Sequence, residues 1–132
     1  MIKKIFRGKS KKNGAWIYGG IAYHSDGAVY IIGDIDKQDS FFELWKTAEE
    51  VEPRSVGEFT GITDKKGAMI FGGDIVVSAE YKDIIRAVIY HDGGFKLLRK
   101  DGRYPKAIGK LKKHLLVIGN VHDNTGMLKE KG

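Results

Sequence analysis

The stretch VGEFTGITDKKGAMIFGGDIVV, residues 56–77, decides the fold of this chain. In its first half, apolar residues alternate with small or polar ones, which is the period of a half-buried strand. A tight reversal follows at Asp64 to Gly67, because Asp can bond its own backbone and Gly can adopt a positive φ. The chain returns through residues 69–71, turns again at the glycine pair 72–73 and leaves as a third strand. The stretch therefore predicts a hairpin and a sharp corner, as a small, strongly bent β-barrel requires.

The residue order of this stretch also resembles a family signature. Residues 56–76 read V-G-E-F-T-G-I-T-D-K-K-G, then two variable positions, then I-F-x-G-D-I-V, which is similar to the signature of the YopX-like family of phage and prophage proteins. Residues 5–9 with 13–19 are similar to that family's opening hairpin, and residues 117–124 to its closing strand. One departure follows Asn124, where the family usually has Pro-Glu-Leu-Leu and this chain has Thr-Gly-Met-Leu. The resemblance implies a mainly β fold and a phage or prophage origin, and it implies no reaction.

Length and composition predict a single domain over residues 1–132. A chain of this length buries roughly two thirds of its unfolded surface, and 42% apolar with 30% charged residues is typical of a globular protein. No apolar run approaches about 18 residues, so no membrane span is predicted, and the basic start lacks the apolar region of a signal peptide. The absence of cysteine excludes disulfides and thiol chemistry. A cytoplasmic protein is predicted.

The net charge of +6 is unevenly spread along the chain. Residues 1–12 carry six basic and no acidic side chains, residues 13–63 carry three basic against nine acidic, and residues 96–132 carry ten basic against three acidic. Three alternatives stay open: the blocks could pack on each other, copies could associate head to tail, or one basic face could meet a polyanion.

Strand signals continue on both sides of the signature. Residues 2–7, 15–23 and 28–32 predict a three-stranded meander, with the pair Gly19-Gly20 as a bulge or a point of close contact. A polar loop is predicted at residues 8–13, between the first two strands. The later strands are predicted at residues 75–81, 84–90, 95–99 and 115–121, and the first two of these are predicted to form a hairpin with its turn at residues 82–83. The predicted fold is mainly β: a small, strongly bent β-barrel or rolled antiparallel sheet with a short helix or loop as a cap.

Residues 41–50 carry conflicting signals. Ser40 to Glu43 fits a capping box, and apolar residues recur afterwards at helical spacing. The aromatic residues Phe41, Phe42 and Trp45 instead favour a strand. A short helix or an irregular segment is predicted there, with a strand as the alternative.

No arrangement in the sequence predicts catalysis, a metal or a cofactor. His24, Ser25 and Asp26 are adjacent, but they are better explained by a turn than by a triad. Residues 34–39 look superficially like a calcium loop, yet the required Gly and Glu positions are not occupied by those residues. The four histidines, His24, His91, His114 and His122, are far apart in sequence, so only the folded chain could bring them into one site. The chain is predicted not to be an enzyme; an enzymatic alternative would need a pocket that gathers such groups.

One basic segment is the candidate binding site. It could follow a phosphate backbone while a nearby aromatic ring stacks on a base; a solvated lysine-rich loop is the alternative. Its members are Arg99, Lys100, Arg103, Lys106, Lys110, Lys112 and Lys113.

The aromatic residues are predicted to form the core. If several of them are exposed together, they mark a subunit or partner surface. The set comprises Trp16, Tyr18, Tyr23, Tyr30, Phe41, Phe42, Trp45, Phe59 and Phe71.

These features together predict a non-catalytic interaction module or adaptor of phage origin. It is expected to form a homo-oligomer or to bind a host or phage protein, with no membrane partner. The alternative is a nucleic-acid-binding β-barrel that uses the basic segment 96–113.

Overall fold

A computed structural model describes residues 4–33, 46–79, 84–99, 102, 106–108 and 114–127. It contains two compact units, Met1–Phe59 and Thr60–Gly132, which are described separately below. Nearly all regular structure is β, so the mainly β prediction is confirmed. Within these residues no helix has the length and apolar character needed to cross a bilayer. The strands are β1 (Phe6–Lys9), β2 (Trp16–Tyr23), β3 (Val29–Ile32), β4 (Glu49–Val51), β5 (Gly57–Thr63), β6 (Met69–Phe71), β7 (Asp74–Ser78), β8 (Ile85–His91), β9 (Gly94–Arg99), β10 (Lys106–Ala107) and β11 (Leu115–Asn120), with short 3₁₀ helices at Pro53–Ser55 and Thr125–Met127.

The first unit is an antiparallel series of strands in the order β4-β3-β2-β1. This confirms the predicted meander of the first three strands. On the other side of β1, Phe6 and Arg7 pair with the beginning of β5. An isolated bridge between Ser10 and Val51 also links the end of β1 to β4. The apolar core consists of Val29, Ile31 and Val51, with Phe6, Ile17, Ile21 and Val56 packed against them.

Strand β1 lies later in the chain than predicted. Its pairing with β2 continues to Lys9 opposite Trp16, so Gly8 and Lys9 belong to the strand and not to the predicted loop. Gly8 fits there because a Cβ at this position would lie 2.8 to 2.9 Å from the Val51 side chain. The hairpin then closes where Ser10 N–H donates to Ala15 O at 2.8 Å.

The second unit is an antiparallel sheet in the order β10-β9-β8-β7-β11. The predicted β7–β8 hairpin is confirmed by pairing of Ile75 with Ala87 and of Val77 with Ile85. Its predicted turn at 82–83 lies outside the described residues. The apolar core of this unit consists of Ile70, Val76, Val88, Leu97, Ile108 and Leu115.

The signature forms the predicted hairpin and corner. β6 is hydrogen-bonded to β5 after the turn at 64–67, in which Asp64 N–H donates to Ala68 O and Gly67 N–H donates to Asp64 O. The corner at Gly73 has a φ of 93°, which favours glycine. It is held by Phe71 N–H, which donates to Oδ2 of the buried Asp74 at 2.8 Å.

Two details of the predicted fold, the closed barrel and the segment at 41–50, do not agree fully with the structure. No closed barrel is found among the described strands, so the barrel detail is not confirmed. The helix or irregular segment predicted at 41–50 is wrong at its end, where Glu49 and Glu50 belong to β4. They pair with Ile31 and Tyr30 of β3, and this pairing outweighs the local helical spacing. Residues 41–45 lie outside the described ranges.

Candidate contact surface of the first unit

The predicted basic segment is described only in part. Arg99 is exposed at the end of β9, and Lys106 begins β10, the strand that pairs with β9. The neighbouring strands therefore bring these two positions close together. Lys100, Arg103, Lys110, Lys112 and Lys113 lie outside the described residues, so a phosphate-binding segment stays a prediction.

The His24 turn brings one histidine and one carboxylate together. His24 Nδ1 lies 3.0 Å from Asp26 Oδ1, and both side chains are largely exposed. Asp26 Oδ1 also accepts from Ala28 N–H at 2.9 Å. That backbone hydrogen bond, followed by the contact with His24, holds the pKa of Asp26 below its usual range. The carboxylate thus closes a turn, as the sequence suggested. Among the residues that the structure describes, no three His, Asp or Glu side chains gather as a metal site would require.

A second group of side chains lies on one face of β1 and β2. Arg7 is opposite Tyr18 and Lys9 is opposite Trp16, so the four share that face. The Arg7 guanidinium carbon is 4.8 Å from the centre of the Trp16 ring, and Lys9 Nζ is 5.6 Å from it. Both distances are those of cation–π contacts. We call Arg7, Lys9, Trp16 and Tyr18 the cation–aromatic face.

Burial falls across this face from the arginine to the tyrosine. Arg7 is 8% exposed, Lys9 and Trp16 are half-buried, and Tyr18 is 51% exposed. The prediction that the aromatic residues form the core is therefore wrong for Tyr18. It is also wrong for Tyr23, which lies at the end of the same strand and is 71% exposed. Phe71, by contrast, is buried as predicted.

An ion pair lies next to the face, just beyond the end of β1. Lys11 Nζ is 2.9 Å from Glu50 Oε2, and Lys11 N–H donates to Glu50 O at 3.1 Å. The hydrogen bond and negative charge of Glu50 raise the pKa of Lys11 above its usual value. Because both side chains are exposed, the pair adds little to stability. The ion pair instead holds the Lys11 side chain next to Glu50 of β4.

A cleft opens beside Tyr18 in the same unit. Its volume is about 390 Å³. Ile17 and Ile31, which belong to the apolar core side of the unit, line it together with polar side chains. The residues around it are Lys12, Ile17, Tyr18, Ile31, Gly33, Lys46, Thr47, Ala48 and Glu49.

Comparison with known proteins shows which family the chain belongs to. A family model described as YopX protein matches residues 5–129. The chain belongs to the YopX family. The resemblance seen in the sequence is thereby confirmed, and the match includes β1, β2 and the signature turn. No curated protein matches this YopX-family chain.

Among solved structures, a similar fold is found in the crystal structure of protein EF1440 from Enterococcus faecalis, with a TM-score of 0.59 and 21% sequence identity. The alignment covers 98% of this chain and 100% of that one. Since the identity is low, the likeness shows a shared fold and carries no statement about activity.

Sequence reasoning missed the cation–aromatic face. It counted Arg7 and Lys9 among the N-terminal cations and assigned Trp16 and Tyr18 to the core. A usable signal was present, since cations at 7 and 9 and aromatic residues at 16 and 18 each follow the period of a strand. Only the register of β1 on β2 shows that the two sets share a face.

Proposed function

We propose that this YopX-family chain is a non-catalytic interaction module of phage or prophage origin that self-associates through the cation–aromatic face. The observation that carries the proposal is the stacking of Arg7 and Lys9 on Trp16 beside the exposed ring of Tyr18. Arg, Trp and Tyr are the side chains most enriched among residues that dominate binding energy at protein interfaces. Here they lie side by side on one pair of strands.

The restricted side-chain conformations on the cation–aromatic face support a binding role. Arg7 is already buried against the indole, so its side chain loses little further freedom when a partner arrives. Tyr18 offers a large, rigid and amphipathic surface at low entropic cost. A face built in this way is preorganised for contact.

The charge pattern favours a second copy of the chain as the partner. Residues 13–63 carry nine acidic side chains, among them the exposed Glu52. The acidic block of one copy is complementary to the cations of the face on another, which corresponds to the head-to-tail association, one of the three alternatives that the sequence left open. A host or phage protein with an acidic surface would be attracted by the same cations.

Two further features complete the proposal. Two contacts connect β4 to the end of β1: the Ser10–Val51 bridge and the hydrogen bond from Glu52 N–H to Lys9 O. They support a rolled sheet as the form of the first unit. The cysteine-free composition supports a cytoplasmic location.

Replacing Tyr18 by alanine is expected to weaken self-association about tenfold or more, because a rigid aromatic contact is removed from the face. Light scattering after size exclusion over a concentration series measures the change. Tyr23→Ala is the matched control: Tyr23 is an exposed tyrosine of the same strand whose side chain points to the other side of the sheet. A monomeric wild-type protein, or equal losses in the two variants, would refute the proposed contact surface.

Nucleic-acid binding is the second candidate, since β9 and β10 bring Arg99 and Lys106 of the basic segment close together. Fluorescence polarisation of a labelled oligonucleotide between about 50 and about 200 mM salt would then show a steep loss of affinity. Replacing Lys110 and Lys112 by glutamine is expected to lower the salt slope by about two. Lys66→Gln, an exposed lysine outside the segment, is the control. Absence of binding at low salt removes this candidate.

A further inference from the structure

A buried arginine lies on the core side of the second unit. Arg86, in β8, is 8% exposed and pairs with Val76 of β7, a member of that unit's apolar core. Residues opposite one another in an antiparallel pair share one face of the sheet, so the Arg86 side chain leaves β8 on the face of the core. Its surroundings on that face are therefore largely apolar, and an unpaired charge is costly in such surroundings.

The charge of Arg86 has no counter-charge in the described part of the unit. Among the residues that the structure describes, no ion pair or side-chain hydrogen bond of Arg86 is found. Asp64 and Asp74 accept backbone N–H groups within the signature stretch, and Asp123 accepts from a side-chain amide at the end of β11. Asp92 lies in the turn at the other end of β8, about 20 Å along the strand. A guanidinium keeps its proton in proteins, so Arg86 is a buried cation that needs a partner.

The residue opposite Arg86 on β9 carries the same charge. Arg86 pairs with Arg99, so both side chains leave the sheet on one face. Arg99 is exposed, whereas Arg86 is not. Like charges directly opposite one another are destabilising, and an anion between the two guanidinium groups removes that repulsion. The pair therefore offers an anion one buried and one solvent-facing contact.

Burial and charge together restrict the anion that fits. Only 8% of the Arg86 surface is open to solvent, so the group that reaches it must be small. The parallel N–H donors of a guanidinium match the oxygens of a carboxylate or a phosphate. A carboxylate balances one of the two positive charges. A phosphate monoester carries a charge of about −1.5 to −2 at neutral pH and presents three acceptor oxygens, so it balances both.

We propose that Arg86 and Arg99 bind a phosphate monoester group. Arg86 donates in parallel to two phosphate oxygens, and Arg99 donates to the third from the solvent side. The site lies in the second unit and shares no residue with the cation–aromatic face, so it goes beyond the proposed self-association. Arg99 also belongs to the basic segment, but Arg86 lies outside that segment. The phosphate group can come from a small phosphorylated molecule or from the phosphorylated end of a nucleic-acid strand.

Thermal unfolding of the full chain in rising concentrations of inorganic phosphate, methyl phosphate or succinate tests the site, with sodium chloride holding the ionic strength constant. A ligand that binds only the folded state raises the melting temperature. We expect both phosphates to raise it more than the dicarboxylate does. Arg86→Met is expected to weaken phosphate binding at least about tenfold. Arg86→Lys is expected to keep part of it, because the charge remains and the paired donors are lost.

Two further variants make the result decisive. Arg99→Gln, at an exposed position, is expected to weaken phosphate binding about fivefold, and it tests the site even if Arg86→Met fails to fold. Arg54→Met is the matched control, since Arg54 is an exposed arginine of the first unit, and it is expected to respond to phosphate as the wild type does.

The source of the phosphate is tested with a short oligonucleotide, with and without a 5′-phosphate. Stabilisation by the phosphorylated strand well beyond that by methyl phosphate identifies a strand end, and equal stabilisation identifies a small molecule. The proposal is overturned if phosphate stabilises the wild type no more than succinate or chloride does, or if both Arg86→Met and Arg99→Gln respond to phosphate as Arg54→Met does. Light scattering of Arg99→Gln separates this result from the proposed function, because its self-association is expected to match that of the wild type.

Discussion

Replacing Asp64 by alanine is expected to lower the free energy of unfolding by about 4 kcal/mol. The buried carboxylate accepts three backbone hydrogen bonds: Oδ1 from Lys66 N–H at 2.8 Å and from Ala68 N–H at 2.9 Å, and Oδ2 from Val117 N–H at 3.0 Å. Alanine has no side-chain acceptor, so all three hydrogen bonds are lost and three backbone N–H groups are left without an acceptor. Denaturant unfolding measures the loss. Asp26→Ala is the control, because Asp26 closes a similar turn but is exposed; its loss is expected to be much smaller.

The same carboxylate makes stability depend on pH. Burial alone would raise the pKa of Asp64, but the hydrogen bonds from Val117, Ala68 and Lys66 outweigh it and hold the pKa below its usual value. The folded state therefore binds this proton less readily than the unfolded state does. The stabilisation is complete above the ordinary Asp pKa of about 3.9, and it is lost as pH falls through the lower pKa of the folded state. Asp64→Asn is expected to be less stable at neutral pH and to lose this dependence. An equal acid sensitivity in Asp64→Asn and wild type would contradict the assignment.

The Asp64 turn also covers a sheet edge. β11 is the last strand in the order of the second sheet. The turn occupies that strand's outward groups, because Lys65 N–H donates to Leu115 O and Asp64 Oδ2 accepts from Val117 N–H. Uncovered edge strands promote association between chains. Asp64→Ala is therefore expected to aggregate on mild heating more readily than Asp26→Ala, which turbidity would show.

Replacing Gly19 by alanine is expected to destabilise the first unit by about 3 kcal/mol or more. A Cβ at Gly19 would collide with the Ile32 carbonyl oxygen of the neighbouring strand β3. Backbone atoms cannot move aside as a flexible side chain can, so β2 and β3 must separate and weaken the pairing of Gly20 with Ile32. Thermal unfolding followed by circular dichroism measures the effect.

Gly94→Ala is the matched control for Gly19. Gly94 begins strand β9, and a Cβ built there meets nothing within 4 Å. Its replacement is expected to change stability by no more than about 0.5 kcal/mol. Equal stabilities of the two variants would show that β2 and β3 do not approach as closely as described.

Most strands could be predicted from the sequence because their signals are local. Each signal depends on residues only a few positions apart, and each indicates its own local structure. The signals are the alternation in 57–63, the Asp64 turn and the glycine pair at 72–73. The role of Asp64 at Val117 could not be predicted, since that bond joins residues far apart in the chain. The same holds for β4, whose strand conformation depends on pairing with β3 and not on its own composition.

The candidate site was harder to predict than the fold. The sequence drew attention to a run of cations, because consecutive charges are visible without a structure. The cation–aromatic face instead depends on the register that sets Lys9 opposite Trp16 and Arg7 opposite Tyr18. A shift of one residue would turn every side chain of β1 to the other side. Surface chemistry of this kind is fixed by pairing, not by order along the chain.

Hydroxyl-radical footprinting at low and high protein concentration tests the central claim most directly, because it reports the exposure of individual aromatic side chains. If the cation–aromatic face is where copies of the chain meet, oxidation of Trp16 and Tyr18 falls as the protein associates, while Tyr23 and Tyr90, both largely exposed, stay equally reactive. Protection of Tyr23 or Tyr90 with Tyr18 unchanged would place the contact elsewhere and contradict the account.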